Sequence, residues 1–453
     1  MLINMKVENF KSFENATELS MICSSKIRKK KEDRVIIKRT RLLKYGVIYG
    51  ANASGKTNLV EFFRFFQRCM KRGLTTESSQ LFCKNRKENR NKDSSFELQI
   101  SVGDDFYAYG FSAILNDSLI TGEWLYKLNP SGTAELLFER EAAGKVSLGE
   151  SVKLDLTEGT KFKVYAEDFE GNTTRLFLSE MNQGKKYTED SRLLFFQKIY
   201  QWLTRNILII SPDMPVNTLL YCYEKSSMQK INELIRTFDT GISQLEIENI
   251  SMEKLEEMLP QEVYKGVMRR IHEQSIEEKN MFLTMRSDRS FFTIIMRNGE
   301  EPIITTLKIR HEKSFYDFRY EEESDGTRRL FDLMDMLLNQ EEDVVYIVDE
   351  LERSLHPKLT EHFLKLFRGA HEEDRTQLLF TTHESALMDQ TIFRRDEIWF
   401  VERNVEGNST IYSLDRFKER YDKALSKAYL EGRYGAIPVF SSFCFEEEEM
   451  EDE

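Results

Sequence analysis

The sequence predicts an α/β fold in which a mixed sheet with helices is joined to an antiparallel β subdomain and carries a mostly helical insertion. A strand, a glycine-rich loop and a helix follow one another at residues 45–72. Two apolar strand patterns, Val344–Val348 and Gln377–Thr381, each end in polar residues, which is typical of buried parallel strands. Three further strand patterns joined by turns predict the antiparallel part: Phe96–Val102, Phe106–Ile114 and Leu119–Lys127.

The glycine-rich loop, Gly50–Thr57, fits the phosphate-binding pattern Gly-x₄-Gly-Lys-[Ser/Thr], known as Walker A. Glycines let backbone N–H groups turn toward phosphate oxygens, and the start of the following helix adds the positive end of its dipole. In such loops the lysine, here Lys56, neutralises the β- and γ-phosphates, and the Thr57 hydroxyl binds Mg²⁺. An ordinary glycine turn is the alternative, but the flanking strand and helix favour ATP with Mg²⁺. The nucleotide-binding residues predicted here are Gly50, Asn52, Ser54, Gly55, Lys56, Thr57 and Asn58.

The strand Val344–Val348 runs directly into Asp349 and Glu350, which is a Walker B pattern. There Asp349 is expected to hold Mg²⁺ and Glu350 to act as general base on the attacking water. About 30 residues later a second apolar strand leads to His383, which can hydrogen-bond the γ-phosphate or the water. An acidic surface loop and a core or surface histidine are the plain alternatives. The two strands in succession favour catalysis by Lys56, Glu350 and His383.

The segment Ser324-Asp325-Gly326-Thr327 opens the helix that precedes Walker B. Ser324 is suited to cap that helix, which is a purely structural role. The alternative is a phosphate-binding helix start, in which Ser324 and Gly326 contact a phosphate presented by a second subunit. The sequence leaves both interpretations open, and it does not place the metal-linked residue of a Q-loop, for which Gln99 and Glu123 are candidates.

The motifs divide the chain into four predicted regions. Residues 1–140 form an N-lobe with Walker A, and residues 291–440 form a C-lobe with the Ser-Asp-Gly-Thr segment, Walker B and His383. Residues 141–290 carry no chemical motif but place apolar residues at helical spacing, which predicts a mostly helical insertion. Residues 441–453 form an acidic tail, interpreted as a solvated end or, alternatively, as a mimic of nucleic acid.

Charge and composition exclude several classes. The formal net charge is −12, but seven acidic residues lie in the tail, so the rest of the chain is near neutral and lacks a global nucleic-acid footprint. Two basic runs, Lys26–Arg41 and Lys84–Lys92, contain few aromatic residues, so they indicate solvated faces or DNA-backbone contacts rather than base stacking. Five scattered cysteines suggest neither a zinc site nor a disulfide framework. No run of 18 apolar residues predicts a membrane span, and we expect a cytoplasmic protein.

The order of Walker A, Ser-Asp-Gly-Thr, Walker B with its glutamate and a switch histidine resembles ABC-type ATPase heads, as in chromosome-maintenance and DNA-repair ATPases and the OLD nucleases. Asn9–Phe13 is similar to the opening of those heads, where the segment borders the nucleotide, which adds Lys11 and Ser12 to the expected site. The Ser-Asp-Gly-Thr segment departs from the Leu-Ser-Gly-Gly-Gln of transporters, which argues against a transporter motor.

Four segments carry a narrower resemblance to a known family: Gly50–Asn58, Phe238–Ile242, Asp349–Pro357 and Gly432–Pro438. These segments look like the stand-alone bacterial AAA/ABC-type ATPases of abortive-infection and phage-defence loci, including those of PARIS systems. The resemblance implies an ATP-sandwiched homodimer or an oligomer of dimers, a separately encoded effector, in particular a nuclease, and a phage protein as trigger. The alternatives are a DNA-binding repair ATPase of the SMC-like class and a protein whose bound nucleotide is merely structural.

Overall fold

The computed structural model describes residues 1–27, 33–129, 132–142, 144–211, 225–276, 281–287, 290–298, 300–339, 341–417 and 425–438. The acidic tail and the Lys29–Lys31 centre of the first basic run lie outside these residues. The chain divides into two compact units. We call residues 2–30, 36–204 and 388–453 the Walker A unit, and residues 1, 31–35 and 205–387 the Walker B unit.

Ten α-helices and twenty β-strands are formed by the described residues. The strands are β1 Leu2–Glu8, β2 Thr17–Ser20, β3 Arg34–Ile37, β4 Thr40–Leu43, β5 Tyr45–Tyr49, β6 Ser94–Val102, β7 Asp105–Ile114, β8 Leu119–Leu128, β9 Ala134–Glu141, β10 Val146–Leu148, β11 Ile207–Ile210, β12 Ile242–Asn249, β13 Met281–Ser287, β14 Ser290–Met296, β15 Ile303–His311, β16 Phe318–Arg319, β17 Val345–Val348, β18 Gln377–Thr381, β19 Ile398–Arg403 and β20 Ser409–Ser413. The helices are α1 Lys56–Arg72, α2 Leu156–Phe169, α3 Phe177–Glu180, α4 Leu194–Gln201, α5 Lys225–Ile235, α6 Met252–Met258, α7 Gln261–Ile276, α8 Asp325–Leu338, α9 Pro357–Ala370 and α10 Leu425–Leu430.

The Walker A unit is built on a seven-stranded antiparallel sheet in the order β10-β9-β8-β7-β6-β1-β2. Its centre is the predicted meander, β6 to β8, which is confirmed by antiparallel pairing along nearly its whole length. Helix α1 packs its phenylalanines on this sheet, with the Phe65 and Phe96 ring centroids 4.9 Å apart and those of Phe66 and Phe111 5.4 Å apart. This aromatic core holds the helix whose first turn carries Lys56 and Thr57.

Strand β5 positions the glycine-rich loop of the same unit. All five of its residues are buried, and it pairs in parallel with β19, which in turn pairs antiparallel with β20. Because β5 ends at Tyr49, the loop begins at the carboxyl end of a buried strand, where α/β folds place their ligands.

The Walker B unit contains three parallel strands, with β17 paired to β11 on one side and to β18 on the other. Their carboxyl ends therefore share one edge, at which Asp349 follows β17 and His383 follows β18. A separate antiparallel sheet in the order β12-β15-β14-β13 packs against α6 and α7 around Leu255, Phe292 and Ile294. The predicted mixture of buried parallel strands and antiparallel sheet is confirmed.

Helices α2 to α7 make up most of the regular structure described in residues 141–290, as predicted, but the segment is not helical throughout. Ile207–Ile210 is a strand in parallel with Walker B, and residues 242–249 and 281–287 are strands of the antiparallel sheet. Short apolar runs such as Ile-Leu-Ile-Ile satisfy a buried strand and a buried helix equally well, so their periodicity could not settle the question. None of the described helices is long and apolar enough to span a bilayer.

Glu123 is a structural residue of the Walker A unit. Its fully buried carboxylate accepts hydrogen bonds from the Tyr109 hydroxyl at 2.9 Å and from the backbone N–H groups of Phe177 and Leu178 at 2.6 and 2.9 Å. Burial raises the pKa of this carboxyl above its ordinary value. The carboxylate thus fixes the start of α3 to the sheet, and its complete burial argues against the metal-linked role considered for it.

Candidate nucleotide-binding site

The Walker A loop is closed around the side chain of Lys56. The Lys56 ammonium donates to the carbonyl oxygens of Gly50 and Ala51, at 2.8 and 3.0 Å, and the residue is only 5% exposed. Ala53 and Gly55 adopt positive φ angles of 60° and 113°, which turn the chain into the first turn of α1. The loop is therefore preformed, with a buried cation on its inner side, as phosphate binding requires.

A network of small polar side chains supports the loop. The Asn58 amide donates to the Ser12 hydroxyl at 2.8 Å, and the Ser409 hydroxyl donates to the carbonyl oxygen of Ser54 at 2.6 Å. Ser409 also donates its backbone N–H to the carbonyl oxygen of Ser12 at 2.7 Å. Ser409 was missed from the sequence because it lies more than 350 residues from the loop and belongs to no recognisable motif.

Lys11 and Ser12 lie beside the loop, where the resemblance placed them. With Asn58, Phe82 and Arg403 they line a cavity of about 350 Å³ in the Walker A unit. Burial, together with the nearby charges of Arg64 and Arg68, lowers the pKa of Lys11. The cavity lies next to the loop, and the binding roles of its residues stay predictions.

The remaining predicted residues of the loop differ in exposure. Ser54 is buried, whereas Asn52 and Thr57 are exposed at the loop and at the first turn of α1. An exposed hydroxyl at Thr57 is compatible with its predicted role as a ligand of Mg²⁺. Magnesium favours oxygen ligands and is bound by few protein groups because phosphates and water complete its octahedron.

In the Walker B unit, Thr381 links the two acidic residues. Its hydroxyl donates to the Asp349 carboxylate at 2.6 Å and accepts the backbone N–H of Glu350 at 2.8 Å. Asp349 is 4% exposed, Glu350 is half-buried, and Glu350 has a positive φ of 47°. The hydroxyl therefore orients the predicted metal ligand and holds the backbone of the predicted base.

His383 lies on the same edge, two residues beyond the end of β18. Its side chain is exposed, and its backbone N–H donates to the Glu352 carboxylate at 2.6 Å. The structure thus places His383, Glu350 and Asp349 at the carboxyl ends of neighbouring parallel strands.

Ser324 caps helix α8. Its hydroxyl accepts the backbone N–H of Thr327 at 3.1 Å, which is the structural role that the sequence left open. Ser324 is nevertheless exposed, so a contact with a phosphate of a second subunit stays a prediction. Gly326 lies close to the loop after Walker B, since a Cβ atom there would come within 2.6 Å of the Ser354 carbonyl oxygen.

A large cavity formed by described residues lies away from these motifs. It measures about 920 Å³, belongs to the Walker B unit and is lined by α6, α7 and the antiparallel sheet, including Leu259, Val263, Phe292 and Phe318. None of the predicted site residues lines it, so we assign the nucleotide to the Walker motifs on their chemistry rather than on cavity size.

The family described as "AAA domain, putative AbiEii toxin, Type IV TA system" matches residues 47–170 and 230–389, more than half of the chain. The chain belongs to this family. The match contains both Walker motifs and the Ser-Asp-Gly-Thr segment, and it therefore supports an ATPase-type, nucleotide-binding protein. A comparison with curated proteins found no match.

Three solved structures are similar over most of the chain. An SMC head bound to the C-winged helix domain of ScpA has 14% identity and a TM-score of 0.38, over 91% of this chain and 97% of that one. An SMC head domain from Thermotoga maritima has 13% identity and a TM-score of 0.31, over 91% and 98%. An SMC head with a coiled coil and joint from Pyrococcus yayanosii has 12% identity and a TM-score of 0.37, over 95% and 99%.

Gly55→Ala should abolish nucleotide binding. A methyl group there would lie 2.5 Å from the Ser409 hydroxyl and 2.8 Å from the Ser12 hydroxyl, and the positive φ adds strain. Gly103→Ala is the matched control, because Gly103 also has a positive φ but no atom within 4 Å of the added methyl. We expect both variants to lose about 1 kcal/mol of stability from backbone strain, and only Gly55→Ala to lose binding of a fluorescent ATP analogue. Equal affinities in the two variants would contradict the close packing of the loop.

Proposed function

We propose that the protein is an ABC-type ATPase that converts ATP and water to ADP and phosphate. The observation that carries the proposal is the preformed Walker A loop around the buried ammonium of Lys56. The family match adds support, and so does the Asp349–Thr381–Glu350 arrangement, because it places the expected metal ligand and the expected base side by side after Walker B.

Each residue of the proposed reaction has one role. Lys56 and the loop N–H groups would bind the phosphates, and Thr57 and Asp349 would each be a ligand of Mg²⁺, which would neutralise charge on the transferred phosphoryl group. Glu350 accepts a proton from the attacking water. His383 hydrogen-bonds the γ-phosphate or that water, and Lys11 and Ser12 border the nucleotide.

Glu350→Gln should bind ATP normally and lose turnover by about 10²- to 10⁴-fold, because the amide keeps the shape of the side chain but cannot accept the proton. Lys56→Ala should lose binding itself, since it removes the cation of the loop. Binding is measured with the fluorescent analogue and turnover by phosphate release. Hydrolysis by Glu350→Gln at the parental rate would refute the assignment of the base.

We propose further that two copies assemble around two ATP molecules. Ser324 is exposed at the start of α8, where helix N–H groups and its hydroxyl are suited to bind a phosphate presented by the other copy. The assembly would be a homodimer or an oligomer of such dimers with two-fold symmetry.

In biological terms, we propose an antiviral role in abortive infection. The family description names an AbiEii toxin and a type IV TA system, and the sequence resembles defence ATPases such as those of PARIS systems. In this proposal the ATPase senses a phage protein and works with a separately encoded effector, a nuclease. The cavity in the Walker B unit is the proposed docking surface for the effector, since its lining combines apolar and charged side chains and the exposed Phe315 and Tyr316 shortly precede Phe318 of that lining in the sequence.

Val263→Asp and Lys254→Glu, both at this cavity, should spare ATP turnover but abolish protection in a plaque assay with the whole operon. Pull-down of the neighbouring gene product should fail in parallel. Lys163→Glu, on the exposed side of α2, is the control and should behave as the parent. Full protection and normal pull-down in both cavity variants would remove this surface from the proposal.

The second candidate is a DNA-binding repair ATPase, and one observation favours it. The exposed basic segment Lys84–Lys92 is held rigidly, because the buried Asn9 amide donates to the carbonyl oxygens of Asn89 and Lys92 at 2.8 and 3.1 Å. Duplex affinity that falls steeply with salt and is lost in Lys87→Glu would support a phosphate-backbone contact. Salt-independent or undetectable binding would indicate a solvated face.

A further inference from the structure

We propose that Arg329 is a positioning residue that links the Ser324–Gly326 segment to the general base Glu350. The inference rests on the proposed function, because it gives Ser324 the role of contacting the other copy's ATP. Arg329 lies on α8, five residues after Ser324, and none of the sequence motifs includes it.

The contacts of Arg329 lead to the backbone of the Walker B residues. The side chain is 7% exposed, and its Nη2 atom donates to the carbonyl oxygens of Asp349 and Glu350, both at 3.2 Å. Within α8 its guanidinium also lies 3.9 Å from the carboxylate of Asp332. A guanidinium presents its donors in a fixed planar fork, so two adjacent carbonyl groups constrain its position closely.

The backbone that Arg329 contacts is held in an unfavourable conformation. Glu350 has a φ of 47°, a region that L-residues other than glycine, asparagine and aspartate rarely adopt. Such strain persists only where surrounding contacts determine it. Here the Thr381 hydroxyl accepts the N–H of Glu350, and the Glu350 carbonyl oxygen accepts from both the Arg329 side chain and, at 3.0 Å, the backbone N–H of Arg353. Arg329 therefore contributes to the direction in which the Glu350 carboxylate points.

A second contact joins α8 to the same loop. Gly326 packs against the carbonyl oxygen of Ser354, which itself has a φ of 62°. Gly326 and Arg329 belong to one rigid helix, so a shift at its start must move both contacts together. A phosphate bound at Ser324 would thus change the position of Glu350 directly, and hydrolysis in one copy would depend on the nucleotide held by the other.

A double-mutant cycle tests this coupling. Ser324→Arg, Arg329→Met and the double variant are compared with the parent by kcat, KM and binding of the fluorescent ATP analogue. We expect Arg329→Met to lower kcat by about tenfold or more while KM and binding change little. The kcat of the double variant should be no lower than that of the slower single variant, because both substitutions interrupt the same coupling between Ser324 and Glu350.

Two further variants separate positioning from a general effect on the fold. Arg329→Lys keeps the charge but cannot donate to both carbonyl groups in the same way, so its kcat should lie between those of the parent and Arg329→Met. If Arg329→Met does not fold, Arg329→Lys replaces it in the double-mutant cycle. Lys358→Ala, which removes an exposed ion pair on α9, is the control and should keep the parental kcat.

The outcomes are distinct. Parental kcat in Arg329→Met, or losses that multiply in the double variant, would overturn the coupling while leaving the ATPase proposal intact. An inactive parent would overturn the ATPase proposal, and a fully active Ser324→Arg would overturn the shared site; in either case the inference on Arg329 fails with it.

Discussion

The burial of the Lys56 ammonium is the constraint on which the geometry of the Walker A loop depends. A buried charge is costly unless polar partners surround it, and here the loop's own carbonyl groups are those partners. The chain can present them only by turning through positive φ angles at Ala53 and Gly55. This conformation also requires a residue without a side chain at Gly55, because a Cβ atom there would collide with the hydroxyls of Ser12 and Ser409.

In the Walker B unit, a hydroxyl group positions the acidic residues. Thr381 donates to Asp349 and accepts from Glu350, so a single side chain at the end of β18 arranges both acidic residues at the end of β17. Parallel pairing of the two strands makes this possible, because it brings their carboxyl ends to the same edge. The strain at Glu350 and the contact with Arg329 then connect this edge to the start of α8.

The sequence predicted the features that depend on local pattern. The strand–loop–helix of Walker A, the meander of β6 to β8 and the buried strands β17 and β18 all follow from short motifs and periodicity. It failed where distant segments decide the outcome. Ile207–Ile210 is a strand because it pairs with β17, and Ser409 supports the loop from the far end of the chain. Arg329 looks like any charged residue of an amphipathic helix, and only its contact with two carbonyl groups distinguishes it.

The central claim is that this chain hydrolyses ATP at a site completed by a second copy. The most direct measurement is the rate of phosphate release per chain at saturating ATP and Mg²⁺, followed from nanomolar to micromolar protein. We expect a rate per chain that rises with protein concentration and reaches a plateau as copies associate. A measurable rate per chain that stays constant over the whole range, with light scattering showing a monomer throughout, would contradict it.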